Sequence, residues 1–460
     1  MARTIDAVHA TYYAVMHLWL QLVPADAFWL RLPSAVAAGA STTLVLLIGR
    51  RLSGPLMGVL AALVFALLPR TTWMGLEARP YAMSALAALA ATWVLVIAVG
   101  KHTATRNWRH FAGLLLIYSI LAGLGIALNV YVALLLVAHA ITLLLSSKVS
   151  WSFRGSWTLS GLLATLLASP VVWTAVHQTG QLGGGDFGWF TWARNVLVNQ
   201  WYLGETPTVS TGSDIFTAAS WKLAAVGLAL VCWIVVGLGF RRRPAAAVVL
   251  WAAPWILVPT LTIGLYSVLV HNMYSARYFT FATAGLALLI AHGLAQLKQR
   301  SLLLPVLAVI ALLAGPVYVS QRGPYAKSGA DWAQAAAFVG AHSQPGEGVY
   351  FTPRYPGTEA VVRQTTRGIA TAYPSGFRGL VDVTLVQSAV ESDDLTGRSA
   401  LLEASAPRLE RLPALWVVRR HDYAYAAQDD KVLLEAGFRP SLRWDGPLDQ
   451  VVEFRRPARG

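Results

Sequence analysis

Asp6-Ala-Val-His9-Ala-Thr-Tyr12-Tyr13-Ala-Val-Met16-His17-Leu-Trp19 precedes the first long apolar run and contains no Lys, Arg or Glu. Wound as an α-helix, Asp6, His9, Tyr13 and His17 fall on one narrow stripe, and Val8, Tyr12, Val15, Met16 and Trp19 fall on another. One side is greasy; the other carries a carboxylate, two imidazoles and a phenol. Trp19 and Trp29, with Phe28 beside them, are rings of the kind that settle at a bilayer–water boundary. The stretch therefore reads as a helix lying in a membrane interface, its polar stripe turned toward a cavity. An ordinary amphipathic surface helix fits the same spacing, and the rest of the chain decides between them.

The chain has 460 residues, 56% hydrophobic and 13% charged, with mean hydropathy +0.53. Soluble domains carry about 25% charged residues, so this is an α-helical polytopic membrane protein. The single cysteine, Cys232, sits in an apolar run. That excludes an intramolecular disulfide and argues against a structural zinc site. Met1-Ala-Arg-Thr leads straight into the interfacial helix, with no secretory signal pattern.

Ten runs approach the roughly 20 apolar residues needed to cross a bilayer: 30–48, 55–70, 82–99, 111–127, 129–146, 157–176, 220–240, 245–269, 279–296 and 301–320. Alternate loops between them are basic: Arg50-Arg51, Lys101/Arg106/Arg109, Lys148/Arg154, Arg241-Arg242-Arg243 and Lys298/Arg300, with no Asp or Glu among them. The positive-inside rule makes these cytoplasmic. The remaining loops, 1–29, 71–81, the turn near Asn129, 177–219 and 270–278, then face outward, as does everything after 320. The carboxylates obey the same division. Before residue 320 they are Asp6, Asp26, Glu77, Asp186, Glu205 and Asp214, all in outward loops. The net charge of +14 is thus a topology signal, and nucleic acid is not an expected partner.

The outward loops hold the chemistry. In Glu77-Ala-Arg79-Pro80-Tyr81, Pro80 suits the first turn of the next helix, and Glu77 sits where its dipole favours a negative charge. A cap with an intraloop Glu77–Arg79 pair is one reading; a charged pair lining an outward cavity is the other. The 177–219 loop carries Gly183-Gly-Gly-Asp186, Trp189, Trp192, Arg194, Trp201, Tyr202 and Glu205. Its indoles suit stacking on a sugar or anchoring at the interface, and its length marks it as functional or mobile. In 270–278, Val-His271-Asn-Met-Tyr274-Ser-Ala-Arg277-Tyr278, Arg277 is the only Lys or Arg. It fits a phospholipid headgroup contact. Its planar fork equally suits a phosphate held bidentately. No GxGxxG or Walker-type loop is present to cradle a nucleotide-sugar.

Residues 321–460 carry 17 Lys/Arg and 16 Asp/Glu, the balance of a soluble domain. Gly329-Ala-Asp331-Trp332 reads as the capped start of a helix. Pro345-Gly346 turns into a strand at 349–352, with further strands at 414–419 and 451–455 and a helix near 428–437. The expected division is a transmembrane domain, 1–320, and a C-terminal extracytoplasmic α/β domain, 321–460. His421-Asp422 reads as a solvated pair rather than a dyad.

Taken in order, Asp-x-x-His-x-x-Tyr-Tyr-x-x-x-His, Leu30-Arg31-Leu32-Pro33-Ser34-Ala35, Gly49-Arg50-Arg51-Leu52, Glu77-Ala78-Arg79-Pro80-Tyr81 and Arg277-Tyr278 resemble the GT-C superfamily of membrane glycosyltransferases. The nearest branch is the bacterial part of glycosyltransferase family 39, related to protein O-mannosyltransferases and the lipid A aminoarabinose transferase. The Ala- and Trp-rich character is similar to its actinobacterial mannosyltransferase-like members. The resemblance covers roughly 1–320. Family members begin with a further transmembrane helix and an Asp-Glu pair holding the catalytic carboxylate. Here Asp6 aligns with a later part of that loop, so the resemblance implies either a start upstream or a copy without that Asp.

The resemblance implies transfer of a sugar, mannose above all, from a polyprenyl-phosphate donor on the outer face of a bacterial plasma membrane. The acceptor would be a cell-envelope glycan, a glycolipid or a protein, in an inverting reaction with lipid phosphate as leaving group. Asp6 with His9 is the local base candidate, and Glu77 positions the acceptor or pairs with Arg79. Arg277, and then Arg79, would contact phosphate; Tyr13, His17, Tyr81, His271 and Tyr278 would line the substrate. No cofactor or metal cluster is called for, and a divalent cation has no ligand set to support it. The competing reading is a degenerate GT-C protein that binds lipid-linked sugar or an assembly partner. A transporter is disfavoured, since no carboxylate, Lys or Arg sits mid-span.

Overall fold

A 3₁₀ turn, Ala7–His9, leads into helix α1, Ala10–Leu20. Asp26 then opens α2, Ala27–Ser53: its Oδ1 accepts the amides of Phe28 at 2.9 Å and Trp29 at 3.0 Å, satisfying orphan donors of the first turn. The computed structural model describes residues 7–105, 109–177, 187–204, 215–243, 247–353, 361–362, 365–392 and 397–457. Two compact units emerge, Ala2–Gly323 and Pro324–Gly460.

The first unit continues with α3 Pro55–Leu67, α4 Pro69–Met74, α5 Tyr81–Thr105, α6 Arg109–Leu128, α7 Ala133–Leu145, α8 Trp151–Val176, α9 Trp189–Arg194, α10 Gln200–Tyr202, α11 Ile215–Arg242, α12 Ala247–Leu269, α13 Thr283–Ala295 and α14 Leu303–Ser320. Eight described helices are long and apolar enough to cross a membrane, and the chain is a multi-pass membrane protein. The sequence led us to expect ten runs of that kind. The other two, Pro55–Leu67 and Val130–Leu145, are shorter apolar helices. Proline accounts for the first: the residue before a proline is pushed out of the α region. Leu68 accordingly lies at φ −62°, ψ 129°, which splits the run into α3 and α4. Asn129 accounts for the second. It is extended, and its side chain accepts from Tyr131 N, so α6 stops and a 3₁₀ turn, Val130–Val132, starts α7.

Close packing needs small residues. A Cβ added at Gly58 on α3 would lie 2.5 Å from the Leu46 carbonyl oxygen of α2. From Thr283 to Leu294 every residue of α13 is buried, making it the central helix. Mid-span, α7 carries the titratable His139. It is buried, with Nδ1 3.0 Å from Tyr118 Oη of α6 and Nε2 3.2 Å from Thr92 Oγ1 of α5. Three helices are thereby pinned in register by polar groups that meet one another.

The second unit contains α15 Trp332–His342, α16 Gly368–Ala372, α17 Ala406–Leu409 and α18 Ala426–Glu435. Its strands are β1 Gly348–Phe351, β2 Val361–Val362, β3 Val381–Asp382, β4 Leu385–Gln387, β5 Arg398–Ala400, β6 Ala414–Arg420, β7 Arg439–Asp445 and β8 Asp449–Arg455. The main sheet has the order β3-β1-β6-β8-β7, parallel from β3 to β6 and antiparallel beyond; β2-β5-β4 form a smaller sheet. Side chains alternate between two cores. Tyr350, Leu415, Val417, Val452 and Phe454 face one with Leu433 of α18. Val349, Phe351, Trp416, Val418 and Val451 face the other with Ala335 and Val339 of α15. Both faces are therefore covered, and the α/β character expected from the sequence holds.

One local reading changes and one holds. Asp331 precedes α15 but its side chain does not cap it. Instead Oδ2 accepts the amides of Leu448 and Asp449, both at 2.9 Å, tying the start of α15 to the β7–β8 hairpin. His421 and Asp422 do not act together: His421 Nε2 lies 2.8 Å from the Gly446 carbonyl, while Asp422 pairs with Arg420 at 2.8 Å.

Candidate functional site

Three segments far apart in sequence converge in the membrane unit. The 3₁₀ turn carries His9, the N-terminus of α5 carries Tyr81, and a second 3₁₀ turn, Ala276–Ala282, carries Arg277 and Tyr278. Their rings form a triangle. His9 meets Tyr81 at 6.4 Å and Tyr278 at 6.4 Å, both edge-on, and Tyr81 meets Tyr278 at 6.0 Å. Tyr13 joins from α1, 6.2 Å from His9. The Arg277 guanidinium lies 5.5 Å from the Tyr278 ring centroid, a cation–π arrangement.

The 3₁₀ turn ends at His9 and α1 begins at Ala10, so from His9 onward the chain winds as an α-helix. At roughly 100° per residue each step of four drifts by about 40°, which carries His17 about 80° around the helix from His9. His9 is buried with Tyr12 and Met16, whereas Tyr13 is 48% exposed. His17 is exposed and its ring meets the Gln21 side chain at 3.2 Å. The structure does not bring His17 into the triangle. Val15, read as part of the greasy side, is exposed too. Asp6 lies outside the described residues.

Glu77 is buried at 8% exposure, and Arg79 is half-buried. Both act electrostatically on Tyr12. Burial pushes the Tyr12 phenol up, Tyr13 and Glu77 add to the rise, and Arg79 opposes it. The 77–79 loop therefore approaches the α1 side of the cluster. His271 is exposed where its loop begins, its amide donating to the Tyr266 carbonyl; no ring contact brings it to the triangle among the described residues.

Supporting residues were invisible in the sequence. Asn129 Nδ2 donates to the Tyr278 carbonyl at 2.8 Å, and Tyr131 Oη donates to the Met273 carbonyl at 2.5 Å. Both come from the break between α6 and α7, so the same turn that shortens α7 also grips the 273–278 loop. Trp73 of α4 stacks on Tyr81 at 5.2 Å. Arg70 of α4, at 0% exposure, reaches a different segment. The one cue in the sequence was its position, a lone cation beside Pro69 within an apolar stretch.

The 177–219 loop is only partly described; Gly183, Asp186, Glu205 and Asp214 lie outside the described residues. Trp201 neither stacks outward nor reaches lipid. It is fully buried, donating from Nε1 to the Val196 carbonyl at 2.8 Å. Trp189 is exposed. A cavity of about 390 Å³ opens here, walled by Trp192, Trp201, Trp233, Phe240 and Ile256, with Thr260 among its few polar groups. Among the described residues, no group of three His, Cys, Asp or Glu is placed to hold a metal ion.

The sequence model of the family described as dolichyl-phosphate-mannose-protein mannosyltransferase matches residues 11–173. No curated protein matches the chain significantly. The structure of ArnT from Cupriavidus metallidurans in the apo state superposes with TM-score 0.56 over 96% of this chain and 87% of that one, at 13% identity. The same protein bound to undecaprenyl phosphate superposes with TM-score 0.53, again over 96% and 87%, at 13% identity. The chain has the GT-C fold. Within that GT-C framework, His9, Tyr81, Arg277 and Tyr278 come from the motif segments on which the sequence resemblance rested.

Proposed function

We propose that the protein is a membrane glycosyltransferase that takes its sugar from a polyprenyl-phosphate donor and works on the outer face of the plasma membrane of a bacterium. Mannose is the sugar, and an envelope glycan, glycolipid or protein is the acceptor. The observation that carries the reading is the convergence of His9, Tyr81 and Tyr278, with Arg277 alongside, from three separate segments. The family match over 11–173 and the ArnT-like fold support it. So does the apolar cavity lined by Trp192 and Phe240, a space suited to a prenyl chain.

In the reaction, the acceptor hydroxyl oxygen attacks the anomeric carbon as a carboxylate takes its proton. The bond from the anomeric carbon to the phosphate oxygen breaks, and polyprenyl phosphate leaves. Arg277, assisted by Arg79, neutralises the charge that grows on that phosphate. Glu77 holds the acceptor or pairs with Arg79; Asp6, with His9, is the local carboxylate that takes the proton; Tyr13, Tyr81 and Tyr278 supply a phenolic wall for the sugar. The alternation of basic loops along the sequence assigns everything after 320 to the extracytoplasmic space in this reading.

The test is transfer from a synthetic short-chain polyprenyl-phosphate-mannose in detergent. Leaving-group charge grows during transfer, so the Arg277 contact strengthens in the transition state. Arg277→Ala should lower kcat as well as raise donor KM, with roughly a hundredfold loss if the contact supplies about 3 kcal/mol. Arg277→Lys should recover part, since a point charge lacks the fork. An Arg277→Ala enzyme with wild-type kcat and donor KM would make this arginine a phospholipid anchor.

A further inference from the structure

Arg70, in the first turn of α4, is a fully buried guanidinium, and the proposed transfer chemistry makes no use of it. Its Nε donates to the Gln200 carbonyl at 2.9 Å and one terminal nitrogen to the Asn199 carbonyl at 2.7 Å. Two parallel bonds to consecutive carbonyls are what a planar fork offers and an ammonium does not. The peptide so held joins Asn199 to the first residue of α10, within the partly described 177–219 loop. The Gln200 side chain then continues the chain of bonds. Its amide nitrogen donates to Thr260 Oγ1 of α12 at 3.0 Å, and its carbonyl oxygen accepts from the Tyr274 hydroxyl. Tyr274 sits three residues before Arg277 and packs on Phe279 at 5.1 Å.

A second set of bonds holds α4 from its other side. Gln321 Nε2 donates to the Pro69 carbonyl at 2.9 Å, and Thr72 Oγ1 donates to Gln321 Oε1 at 2.8 Å. Gly204, at φ +67°, lets the chain leave α10 past Gln321; a Cβ there would come within 2.7 Å of Gln321 Nε2. The six-residue helix α4 is therefore fastened on both sides, with Trp73 stacked on Tyr81 between them.

We propose that Arg70 is a positioning residue: by clamping Asn199-Gln200 it fixes, through Gln200 and Tyr274, the turn that presents Arg277 and Tyr278. The inference rests on the proposed transfer reaction for its kinetic consequence but not for its structural one. It is tested by hydrogen exchange on the full-length protein in detergent, with transfer kinetics alongside. Arg70→Lys should speed exchange in peptides covering 195–202 and 273–279. Tyr274→Phe, which cuts only the second link, should speed exchange in 273–279 and leave 195–202 as in wild type. Arg154→Met serves as control, because Arg154 also donates to loop carbonyls, those of Leu143, Leu144 and Ser146; it should loosen 143–149 and leave 273–279 unchanged. In the transfer assay, misplacement of the donor arginine should cost Arg70→Met roughly a hundredfold in kcat/KM. Arg70→Lys should lose less and show most of its loss in donor KM. If Arg70→Lys loosens 195–202 while 273–279 keeps wild-type exchange, the coupling is wrong and Arg70 is only a fold anchor. If exchange behaves as expected but no variant, wild type included, transfers sugar, the clamp stands and the proposed reaction falls.

Discussion

At the scale of single residues, the same chemistry gives opposite outcomes according to what meets the group. Asp429 in the C-terminal unit is buried, and its Oδ2 accepts from the Tyr350 hydroxyl at 2.7 Å and the Tyr423 hydroxyl at 2.8 Å. Burial raises its pKa, and the two phenols offset only part of the rise. A carboxyl whose folded pKa is raised binds its proton more tightly when folded, so stability falls as pH climbs from the ordinary aspartate range through the folded value. Asp429→Asn keeps an oxygen for both phenols and removes the titration. Urea melts of 324–460 expressed alone should show the wild-type unit losing stability across that window and the variant staying flat. Equal slopes would mean the buried carboxylate is not the sensor. Surface neighbours act the other way: the Arg420 hydrogen bond holds Asp422 below its usual range, and Arg443 does the same for Asp445.

Which site residues were legible follows from how each one signals. As candidates, His9 and Arg277 were legible as polar residues beside apolar runs, and Tyr81 and Tyr278 through the motif segments that carry the family resemblance. Arg70, Gln200, Tyr274, Asn129 and Tyr131 act through backbone carbonyls or each other across more than seventy positions of sequence. Periodicity carries no trace of such pairings. His17 is separated from His9 by the drift of a four-residue step: two such steps along an α-helix leave it about 80° around the helix and two turns farther on, where it is exposed.

At the scale of elements, apolar length announced the helices but not their interruptions. Pro69 and Asn129 break two runs, and each break does something: one frees α4 to stack Trp73 on Tyr81, the other turns Asn129 and Tyr131 onto the 273–278 loop. Helix approach is set by residues with no side chain to interpose. Gly58→Ala places a Cβ against the α2 backbone at 2.5 Å, where relief requires the helices to part. The variant should lose about 1–3 kcal/mol. In detergent it should melt several degrees lower; an unchanged melting temperature would mean that α2 and α3 separate at little cost. Three strands of the C-terminal unit were easier to read: covered faces make β1 and most of β6 continuous hydrophobic runs, and β8 carries Val451, Val452 and Phe454 inward, whereas the exposed β7 left no such run.

At the scale of the whole molecule, charge distribution supplies an orientation that helices alone do not. Basic loops with no carboxylate alternate with loops that hold every acidic residue before 320. Both 101–110 and 241–244 should therefore face the cytoplasm, while 270–278 and the C-terminal unit face outward. In a background lacking Cys232, a cysteine at position 243 should resist an impermeant maleimide in intact cells, and one at 272 should react. Labelling at 243 with protection at 272 would invert the membrane unit and remove the site from the outer face.

The proposed function depends above all on the donor being a lipid phosphate sugar rather than a nucleotide sugar. The direct measurement is release of labelled mannose into acceptor by the full-length protein in nanodiscs, with polyprenyl-phosphate-mannose and GDP-mannose supplied in parallel and an extract of envelope lipids and glycans as acceptor. Turnover from polyprenyl-phosphate-mannose with stoichiometric release of polyprenyl phosphate, none from GDP-mannose, and a sharp loss in Arg277→Ala are the expected results. Transfer from GDP-mannose, or transfer from the lipid donor that is indifferent to Arg277, would contradict the proposed function.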